Sequence, residues 1–467
     1  MAPPDSPPTS LPPAQRARRA LFSKPALLFA FAFAVMADPV SSVAYAIEAA
    51  LRALDGDLEL LLPTMALVVA LIALIIANYH QLVGRFPEGG GAAAAAGVAF
   101  GEAWAFIPIG ALIVDFVLTI AISVSAAASA VIAYVPALAD LRVLLALGVL
   151  VAVAALTWFG HIGRTVFALM TTLFIALTVA VLIGGLGAQV PAHHAPASTS
   201  PGNVAFIAVL LAFPVAMALA TGVEAPSSAI AQLGQLDDTG RRRFGRVTLW
   251  LTLGVVGTLT LGLTASAVRL QVGIPPHDST QIADLAKASV GPHLFAAFQL
   301  FTALLLLAAA SSSFQAGPGL LKALARRTHA SGLRTGILHP QLGTTNEHHT
   351  PYWAVLLFLG VSMLVVAAAG ARDQELVLFY AVSVFMSFLV GLLAMAKFAR
   401  LERRPASAAI SLLGAVLVGF TLLVNLSRGD PIASLVAASA IALLLHRLWV
   451  RAGRPRGISE AVIEAES

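Results

Sequence analysis

The amino-acid sequence predicts an all-α polytopic membrane protein with twelve transmembrane helices. Hydrophobic residues make up 59% of the 467 residues and charged residues only 11%, whereas soluble domains carry about 25% charged residues. A soluble domain of this length could not hide so many apolar side chains from water, because much of its chain stays at the surface. Lipid must therefore cover much of the protein.

Twelve apolar runs are close to the ~20 residues that a helix needs to cross a bilayer. They lie at about 26–52, 60–80, 105–135, 142–159 and 163–187, then 203–232, 247–268, 294–321, 352–370 and 376–397, and finally 408–426 and 431–448. This grouping as five, five and two is typical of transporters built from inverted repeats, whose paired first helices are broken near the membrane midplane. We therefore expect repeats at 24–190 and 191–400, followed by two helices at 401–449.

Lysine and arginine residues predict the orientation of these helices. An even number of spans puts both termini on one side, and we assign the tails at 1–23 and 450–467 to the cytoplasm. The outer side then receives only six of the 28 Lys and Arg residues, a strong positive-inside bias. These six are Arg52, Arg142, Arg269, Lys287, Arg372 and Arg428. No small-residue cleavage site follows the first run, so the Pro-rich start is predicted to be a tail of a plasma (inner) membrane protein and not a signal peptide.

Composition and motifs exclude several functional classes. The formal charge of +5 does not indicate a nucleic-acid partner, because the basic residues lie in short clusters between apolar runs. Without cysteine the chain has no disulfide, thiolate metal site or cysteine nucleophile. Its eleven histidines lack metal-ligand spacing, and no catalytic cluster is present. We expect a protein without enzymatic activity and without a cofactor.

Two apolar runs are interrupted by the same kind of motif. Asp38-Pro39-Val40-Ser41-Ser42 interrupts the first run, and Thr221 to Ser228 interrupts the sixth. One shift of 186 residues carries Asp38 onto Glu224 and both serines of the first motif onto those of the second. Because proline removes a backbone donor and blocks a carbonyl, we expect two broken helices whose unwound carbonyls and hydroxyls can coordinate a ligand. A simple proline kink is the alternative.

Three carboxylates lie inside apolar runs, at Asp38, Asp115 and Glu224. Each costs about 2.5 kcal/mol or more to insert into lipid, so an acid at this depth predicts a function. Apart from Arg52 at the end of the first run, no Lys or Arg occurs within these runs to pair with them. We therefore expect a bound cation, protons, or both in turn, to neutralise the acids. The alternative is a water-filled vestibule. Glu48, nearer the end of its run, is expected to be a snorkelling surface acid.

Helical spacing adds further oxygen atoms to this set. Asp115, Thr119 and Ser123 recur every four residues and therefore share one helix face. Carboxylates, hydroxyls and carbonyls are the groups that replace the water around a monovalent cation. For the two hydroxyl residues, back-bonding to their own helix or helix packing is the alternative. Further candidate ligands are Tyr45, Thr221 and Tyr380.

Motifs found between the first and the tenth of the twelve runs resemble one known family. The motifs are Ala37-Asp38-Pro39-Val40-Ser41-Ser42-Val43-Ala44-Tyr45-Ala46, Gly89-Gly90-Gly91, Val114-Asp115-Phe116-Val117-Leu118-Thr119-Ile120-Ala121-Ile122-Ser123, Thr221-Gly222-Val223-Glu224-Ala225, Ser313-Phe314 and Phe379-Tyr380-Ala381-Val382-Ser383-Val384-Phe385-Met386-Ser387-Phe388. They resemble the KUP/KimA-type potassium importers of the amino acid–polyamine–organocation (APC) superfamily. The resemblance implies a LeuT-type fold and proton-coupled import of potassium. It places Asp38, Tyr45, Asp115, Thr119, Ser123, Thr221, Glu224 and Tyr380 at the family's cation positions.

The sequence also departs from that family's pattern. Phe116 follows Asp115 where the family has Tyr, so one hydroxyl ligand is missing and the number of bound ions is open. Alanines follow the glycine triplet where an aromatic residue is usual, and 336–350 looks little like the family. Only a short tail follows the twelfth run, where KimA-like members carry a large soluble domain. We therefore expect no regulation through such a domain.

The main alternative substrate is an amino acid or polyamine carried by a proton symporter of the same fold. Amino-acid carriers meet the substrate carboxylate with a Gly-rich break, where backbone donors attract the anion. Asp38-Pro39 stands here instead, and its carboxylate repels an anion, which favours a bare cation or an amine. Asp38 and Glu224 are the candidates for proton coupling. A channel, a membrane enzyme and a sensor lack supporting motifs. The expected partners are the lipid bilayer and a small cation or amine, and a homodimer is compatible with the sequence.

Overall fold

A computed structural model describes residues 24–159, 163–188, 202–325, 336–429 and 431–458. All regular elements in this part of the chain are helices, and no strand occurs there. Ten helices are long and apolar enough to cross a membrane. The prediction of an all-α protein with many membrane-spanning helices is therefore confirmed. The N-terminal tail at 1–23 lies outside the described residues.

Seventeen α-helices, numbered in chain order, make up the described fold. They are α1 (Lys24–Val35), α2 (Ala37–Ser41), α3 (Val43–Ala53), α4 (Leu58–Arg85), α5 (Gly91–Phe100), α6 (Phe106–Tyr134), α7 (Arg142–Trp158), α8 (Arg164–Gly187), α9 (Gly202–Ala216), α10 (Ala225–Ala229), α11 (Asp238–Arg269), α12 (Gln281–Ser289), α13 (Pro292–Ala325), α14 (Tyr352–Ala368), α15 (Asp373–Leu401), α16 (Pro405–Leu426) and α17 (Ile432–Arg451). Short 3-10 turns lie at Glu102–Ala105, Pro136–Leu141, Met217–Ala220, Ile230–Gln232 and Pro340–Gly343.

Each of the twelve predicted runs contains helix, although the sixth is divided between α9 and α10 and two others form no long uninterrupted helix. The first run is divided into α1, α2 and α3, and the ninth holds α14, which has 17 residues. The count of twelve spans and their division into two repeats therefore stay predictions.

Small polar side chains fix where several helices begin. Asp57 accepts hydrogen bonds from the backbone N–H groups of Glu59 (3.0 Å) and Leu60 (3.3 Å) at the start of α4. Asp237 caps α11 in the same way, accepting from the N–H of Gly240 at 3.0 Å. The first N–H groups of a helix lack intrahelical partners, and a side-chain oxygen satisfies them.

Helices α6 and α15 lie at the centre of the bundle. Within their most apolar stretches, 67% and 71% of the residues are buried, more than in any other long span. Helix α6 contacts α13, α15 and α17 along its length. A methyl group added at Gly110 of α6 would lie 2.6 Å from the carbonyl oxygen of Ala438 in α17. Small residues of this kind let helix backbones approach closely where lipid provides no hydrophobic driving force.

Contacts at the two ends of the bundle agree with the predicted grouping of basic residues. At the predicted cytoplasmic end, Arg85 hydrogen-bonds Glu402 and lowers the pKa of that carboxyl below its usual range. At the opposite end, Arg142 donates to the carbonyl of His277 at 2.5 Å, and Arg269 donates to that of Gly185. In each pair, both residues belong to the same predicted side of the membrane. The identity of the cytoplasmic end stays a prediction.

Candidate functional site

The sixth apolar run is broken in its middle. Helix α9 ends at Ala216, and the 3-10 turn Met217–Ala220 follows it. Thr221 is extended, with φ −52° and ψ 131°, and Gly222 has φ +69°. Residues with a Cβ avoid a φ of this sign, so glycine allows the chain to leave the helix here. We call residues 217–224 the second interruption.

The first apolar run is divided but not unwound, which corrects the prediction of a broken helix there. Met36 (φ −71°, ψ −13°) and Ser42 (φ −63°, ψ −25°), which separate α1, α2 and α3, both keep helical dihedral angles. The Ser41 hydroxyl donates to the carbonyl of Asp38 at 2.7 Å. This segment, residues 36–42, which we call the first interruption, therefore keeps a helical backbone path and is not unwound. The proline alternative, a kink, describes it better.

A very close approach joins the two interruptions. A methyl group added at Gly222 would lie 2.6 Å from Oδ2 and 2.7 Å from Cγ of Asp38. The backbone of the second interruption therefore packs directly against the carboxylate of the first, as the expected pairing of the two motifs requires. Only a residue without a side chain fits in this contact.

The three predicted carboxylates are brought together in this region. Asp38, Asp115 and Glu224 each lie near enough to interact electrostatically with the other two. All three residues are partly exposed. Within the described chain, no Lys, Arg or His side chain forms a hydrogen bond or ion pair with any of them. The negative charges are therefore without a protein counter-charge, as the sequence predicted.

Several oxygen atoms around these acids have no hydrogen-bond partner among the described residues. They are Oδ1 of Asp38, Oδ1 of Asp115, Oγ1 of Thr119 and Oγ of Ser123. The last three lie on the single face of α6 that the spacing predicted, and both hydroxyl residues are buried. Buried polar atoms are almost always hydrogen-bonded in proteins, so such a group indicates an unfilled ligand position. Back-bonding to α6, the alternative for the hydroxyls, does not occur here.

The three remaining candidates line the same region. The Tyr45 hydroxyl donates to Oγ of Ser42 at 3.2 Å and lies 3.5 Å from Oγ1 of Thr221. The Thr221 hydroxyl itself donates to the carbonyl of Ala218 at 2.6 Å. Tyr380 is fully buried, and its hydroxyl faces the carboxylate of Asp115. Six of the eight predicted residues therefore meet, although the Thr221 hydroxyl is engaged by its own backbone, while Thr119 and Ser123 are placed by the helix face that they share with Asp115.

Two further residues that the sequence analysis did not assign hold Glu224. Oε2 of Glu224 accepts one hydrogen bond from the Tyr79 hydroxyl at 2.9 Å and another from Oγ of Ser387 at 3.0 Å. Tyr79 is on α4 and Ser387 on α15, and both are buried. Hydrogen bonds to an ionised group are stronger than those between neutral groups. Glu224 is therefore anchored to two neighbouring helices, whereas Oδ1 of Asp38 and of Asp115 is not anchored.

The comparison with known proteins decides the class of this molecule. A model of the amino acid permease family matches residues 24–445. This chain belongs to that family. It is 29% identical over 367 residues to the potassium transporter KimA of Bacillus subtilis (strain 168), an alignment that covers 75% of this chain and 58% of that relative. The chain thus spans less than two thirds of that relative's length.

Membership in the amino acid permease family confirms three predictions. The resemblance to the APC superfamily is confirmed, the protein is a multi-pass membrane transporter, and it is not an enzyme. The eight candidate residues were predicted from their positions in apolar runs and from the resemblance, and their roles in this permease stay predictions.

Glu48 corrects one further prediction, because it is not a surface acid. It is only 4% exposed, and it accepts hydrogen bonds from Nε of Arg52 at 2.8 Å and from the backbone N–H of Gln281 at 3.0 Å. Its carboxylate is therefore satisfied in place, and it ties α3 to the start of α12. Proximity to the end of the apolar run suggested exposure, but the segment before α12 folds over this end.

A neighbouring hydrogen-bond network at the predicted outer end of the permease ties α6 to α15. Asp373 accepts from the Ser129 hydroxyl at 2.8 Å, and that hydroxyl accepts from Arg142 at 2.6 Å. Nε2 of Gln374 donates to Asp373 at 2.9 Å and lies 3.4 Å from the carbonyl oxygen of Tyr45. The network therefore sits against the outer side of the candidate site.

A cavity of about 1120 Å³ lies elsewhere in the permease, between α6, α14, α15 and α17. Its lining is almost entirely apolar, and none of the eight candidate residues contributes to it. A cation site needs several oxygen ligands, and the side-chain oxygens in the described lining of this cavity belong to Glu375 and Ser434 alone, beside the positive charge of Arg372. We therefore assign the candidate site to the carboxylate region and not to the large cavity.

Proposed function

We propose that this permease is a secondary active transporter that imports potassium together with protons. The observation that carries the proposal is the set of buried oxygen atoms on Asp38, Asp115, Thr119 and Ser123 that lack hydrogen-bond partners in the described chain. They belong to or lie beside acids that have no basic partner there. A cation can be coordinated by several such oxygens at once, which supplies the missing partners and the missing positive charge together.

The chemistry of these oxygens favours a hard monovalent cation. Potassium gives up its water shell when several oxygen atoms replace it. No group of three or more His, Cys, Asp and Glu side chains in the described residues is placed to hold one metal ion jointly. A multivalent metal site with several carboxylates is therefore not supported. Fewer carboxylates, supplemented by hydroxyls, suit an ion of single charge.

We assign different roles to the acids because their surroundings differ. Asp115 shares its helix face with Thr119 and Ser123 and is the principal cation ligand, with Asp38 facing it across the site. Glu224 is held by Tyr79 and Ser387 and is the better supported proton carrier. Asp38 remains the second candidate for proton coupling.

Transport of an amino acid or polyamine with protons is the second candidate function. The family description, amino acid permease, favours it, while the potassium transporter KimA favours potassium. An amine could meet Asp38 and Asp115 with its charge. A free carboxylate of the substrate would be repelled by the three acids unless protons neutralised them. We also propose that both termini lie in the cytoplasm and that lipid surrounds the twelve spans, with a homodimer as a compatible assembly.

Rubidium uptake in a host deficient in potassium import tests the proposal. Expression of the chain should restore uptake, and Asp115→Asn should abolish it, because the substitution removes the charge that attracts the ion. Glu59→Gln is the matched control, since Glu59 is an exposed acid on α4 outside the site. Uptake of labelled amino acids without rubidium uptake would favour the second candidate. Normal rubidium uptake by the Asp115→Asn variant would contradict the site.

A further inference from the structure

The chain that follows α17 turns back onto the bundle. Gly453 (φ +83°) and Arg454 (φ +56°) reverse its direction. The indole N–H of Trp449 then donates to the carbonyl of Pro455 at 2.8 Å. The segment Gly453–Ile458 therefore lies against the predicted cytoplasmic end of the helices, close to the last turn of α17.

Glu102 holds the end of this segment. Its two carboxylate oxygens accept from the backbone N–H groups of Gly457 and Ile458, each at 2.6 Å. Gly457 has φ +82°, a conformation that glycine adopts without strain. Successive N–H groups in such a turn form a concavity that binds an anion. One carboxylate of the 3-10 turn before α6 thus binds two consecutive amides of the C-terminal segment.

Ile458 adds an apolar contact to this charged one. Its side chain is fully buried in a cluster with Ala93, Phe106, Ile109 and Ile337. Ala93 belongs to α5, and the next two residues of the cluster belong to α6. Removal of this aliphatic side chain from water favours the docked position of the segment. The segment therefore holds the short helix α5 and the start of α6 together.

The first residues of α5 and the glycines before it lie against α10, the short helix that follows the second interruption. A methyl group added at Gly91, the first residue of α5, would lie 2.9 Å from Oγ of Ser228. One added at Gly89 would lie 2.8 Å from the carbonyl oxygen of Ser228. The glycine triplet thus lets α5 dock on the chain just after Glu224. Helix α5 is placed between the C-terminal segment and the broken helix.

We propose that Gly453–Ile458 is a detachable clamp that holds α5 against α10, the short helix that follows the second interruption. Hydrogen bonds to a partly exposed carboxylate and to the Trp449 indole, together with one buried aliphatic side chain, hold the segment outside any long helix, so it can leave without unwinding one. When it leaves, α5 loses its support on the side opposite Ser228. The surface around Ser228 then opens to water, and the broken helix gains freedom to move.

Single cysteines test both parts of the proposal, because the natural chain has none. Ile458→Cys reports on detachment and Ser228→Cys on the surface under α5, each by the rate of maleimide labelling of purified protein. Glu102→Gln removes the negative charge of this side chain and so weakens its hydrogen bonds with the two backbone N–H groups. In that background we expect both thiols to be labelled about tenfold faster. Glu88→Gln, an exposed acid just before the glycine triplet, is the matched control and should change neither rate.

Further variants separate detachment from general damage. Ala452→Cys lies at an exposed position and should be labelled rapidly in every background. Ile458→Ser weakens the apolar contact of the clamp and leaves Glu102 unchanged. Combined with Ser228→Cys, it should expose the thiol at position 228 as Glu102→Gln does, while the elution profile stays that of folded protein.

Two results would overturn the proposal. Labelling of Ile458→Cys as fast as that of Ala452→Cys, with Glu102 intact, would contradict the docking of the segment. Faster labelling at position 458 in the Glu102→Gln background, with position 228 still protected, would contradict the coupling to α5. These rates do not depend on the transported substrate, so they fail or succeed separately from the proposed function.

Discussion

The two interruptions carry the same acid and serine signature but differ in backbone conformation. The first stays helical at Met36 and Ser42, whereas the second leaves the helix at Thr221 and Gly222. In each, a serine hydroxyl donates to the carbonyl of the acid three residues earlier, Ser41 to Asp38 and Ser227 to Glu224, both at 2.7 Å. The shared motif therefore produces the same local hydrogen bond, and something else decides whether the helix breaks.

Glycine decides it. The shift of 186 residues that superimposes the acids places Gly222 on Met36. Gly222 adopts φ +69°, which a methionine would reach only with strain. The serine-to-carbonyl bond bends a helix without opening it. The second interruption is therefore the unwound one of the pair, and the first carries Asp38 on a helical backbone.

Gly222→Ala should give the largest effect, because it replaces the glycine that distinguishes the second interruption from the first. The new methyl group needs a left-handed conformation and would lie 2.6 Å from Oδ2 of Asp38. We expect rubidium uptake to fall about a hundredfold or more, in keeping with ~3 kcal/mol of combined strain and clash. Gly254→Ala in α11, where a methyl group meets nothing within 4 Å, is the control and should keep full uptake. Substantial uptake by Gly222→Ala would show that the glycine does not define the second interruption.

Tyr79→Phe tests whether the second interruption is tied to its neighbours through Glu224. The variant keeps the ring, which packs edge-on against Phe388 at 5.9 Å, and removes only the hydroxyl that donates to Oε2. A hydrogen bond to a charged group contributes about 1.5–3 kcal/mol, so we expect roughly a tenfold or greater loss of uptake. Tyr134→Phe, at a ring that is 53% exposed, is the control and should behave like the natural chain. Equal uptake in both variants would remove Tyr79 from the site.

Ser41→Ala and Ser227→Ala compare the two serine bonds directly. Each removes one hydroxyl-to-carbonyl bond, worth about 1 kcal/mol, so effects of a few-fold on uptake are expected. The effect should be larger for Ser227, because the chain leaves the helix at Thr221 and Gly222 just before it, whereas the backbone on both sides of Ser41 keeps helical dihedral angles. The rates of both variants in one uptake assay provide the measurement. A larger loss of uptake for Ser41→Ala than for Ser227→Ala would contradict the expectation that the unwound interruption depends more on its serine bond.

The sequence predicted the parts of the fold and site that depend on burial in lipid. Long apolar runs identify helices without further information, and a charge within such a run is costly enough to mark Asp38, Asp115 and Glu224. The four-residue spacing placed Thr119 and Ser123 beside Asp115 because α6 is regular. These inferences use only local periodicity and the energetics of the membrane.

Other parts depend on contacts between distant segments, which periodicity does not reveal. Tyr79 in an apolar helix resembles any buried aromatic, and only the fold brings its hydroxyl to Glu224. Glu48 was misread because the chain before α12, which covers it, lies more than 200 residues away in sequence. The kink at the first interruption could have been found by asking whether Met36, aligned with Gly222, tolerates a positive φ.

The three acids without a basic neighbour in the described chain have one more consequence. A pocket that carries fixed negative charge and no fixed positive charge is costly to carry through lipid when it is empty, since isolated buried charges are strongly disfavoured. Under the proposed function, we expect the unloaded protein not to cycle and therefore not to dissipate an ion gradient. We expect the transporter to change conformation only after protons or the transported cation have neutralised the three acids.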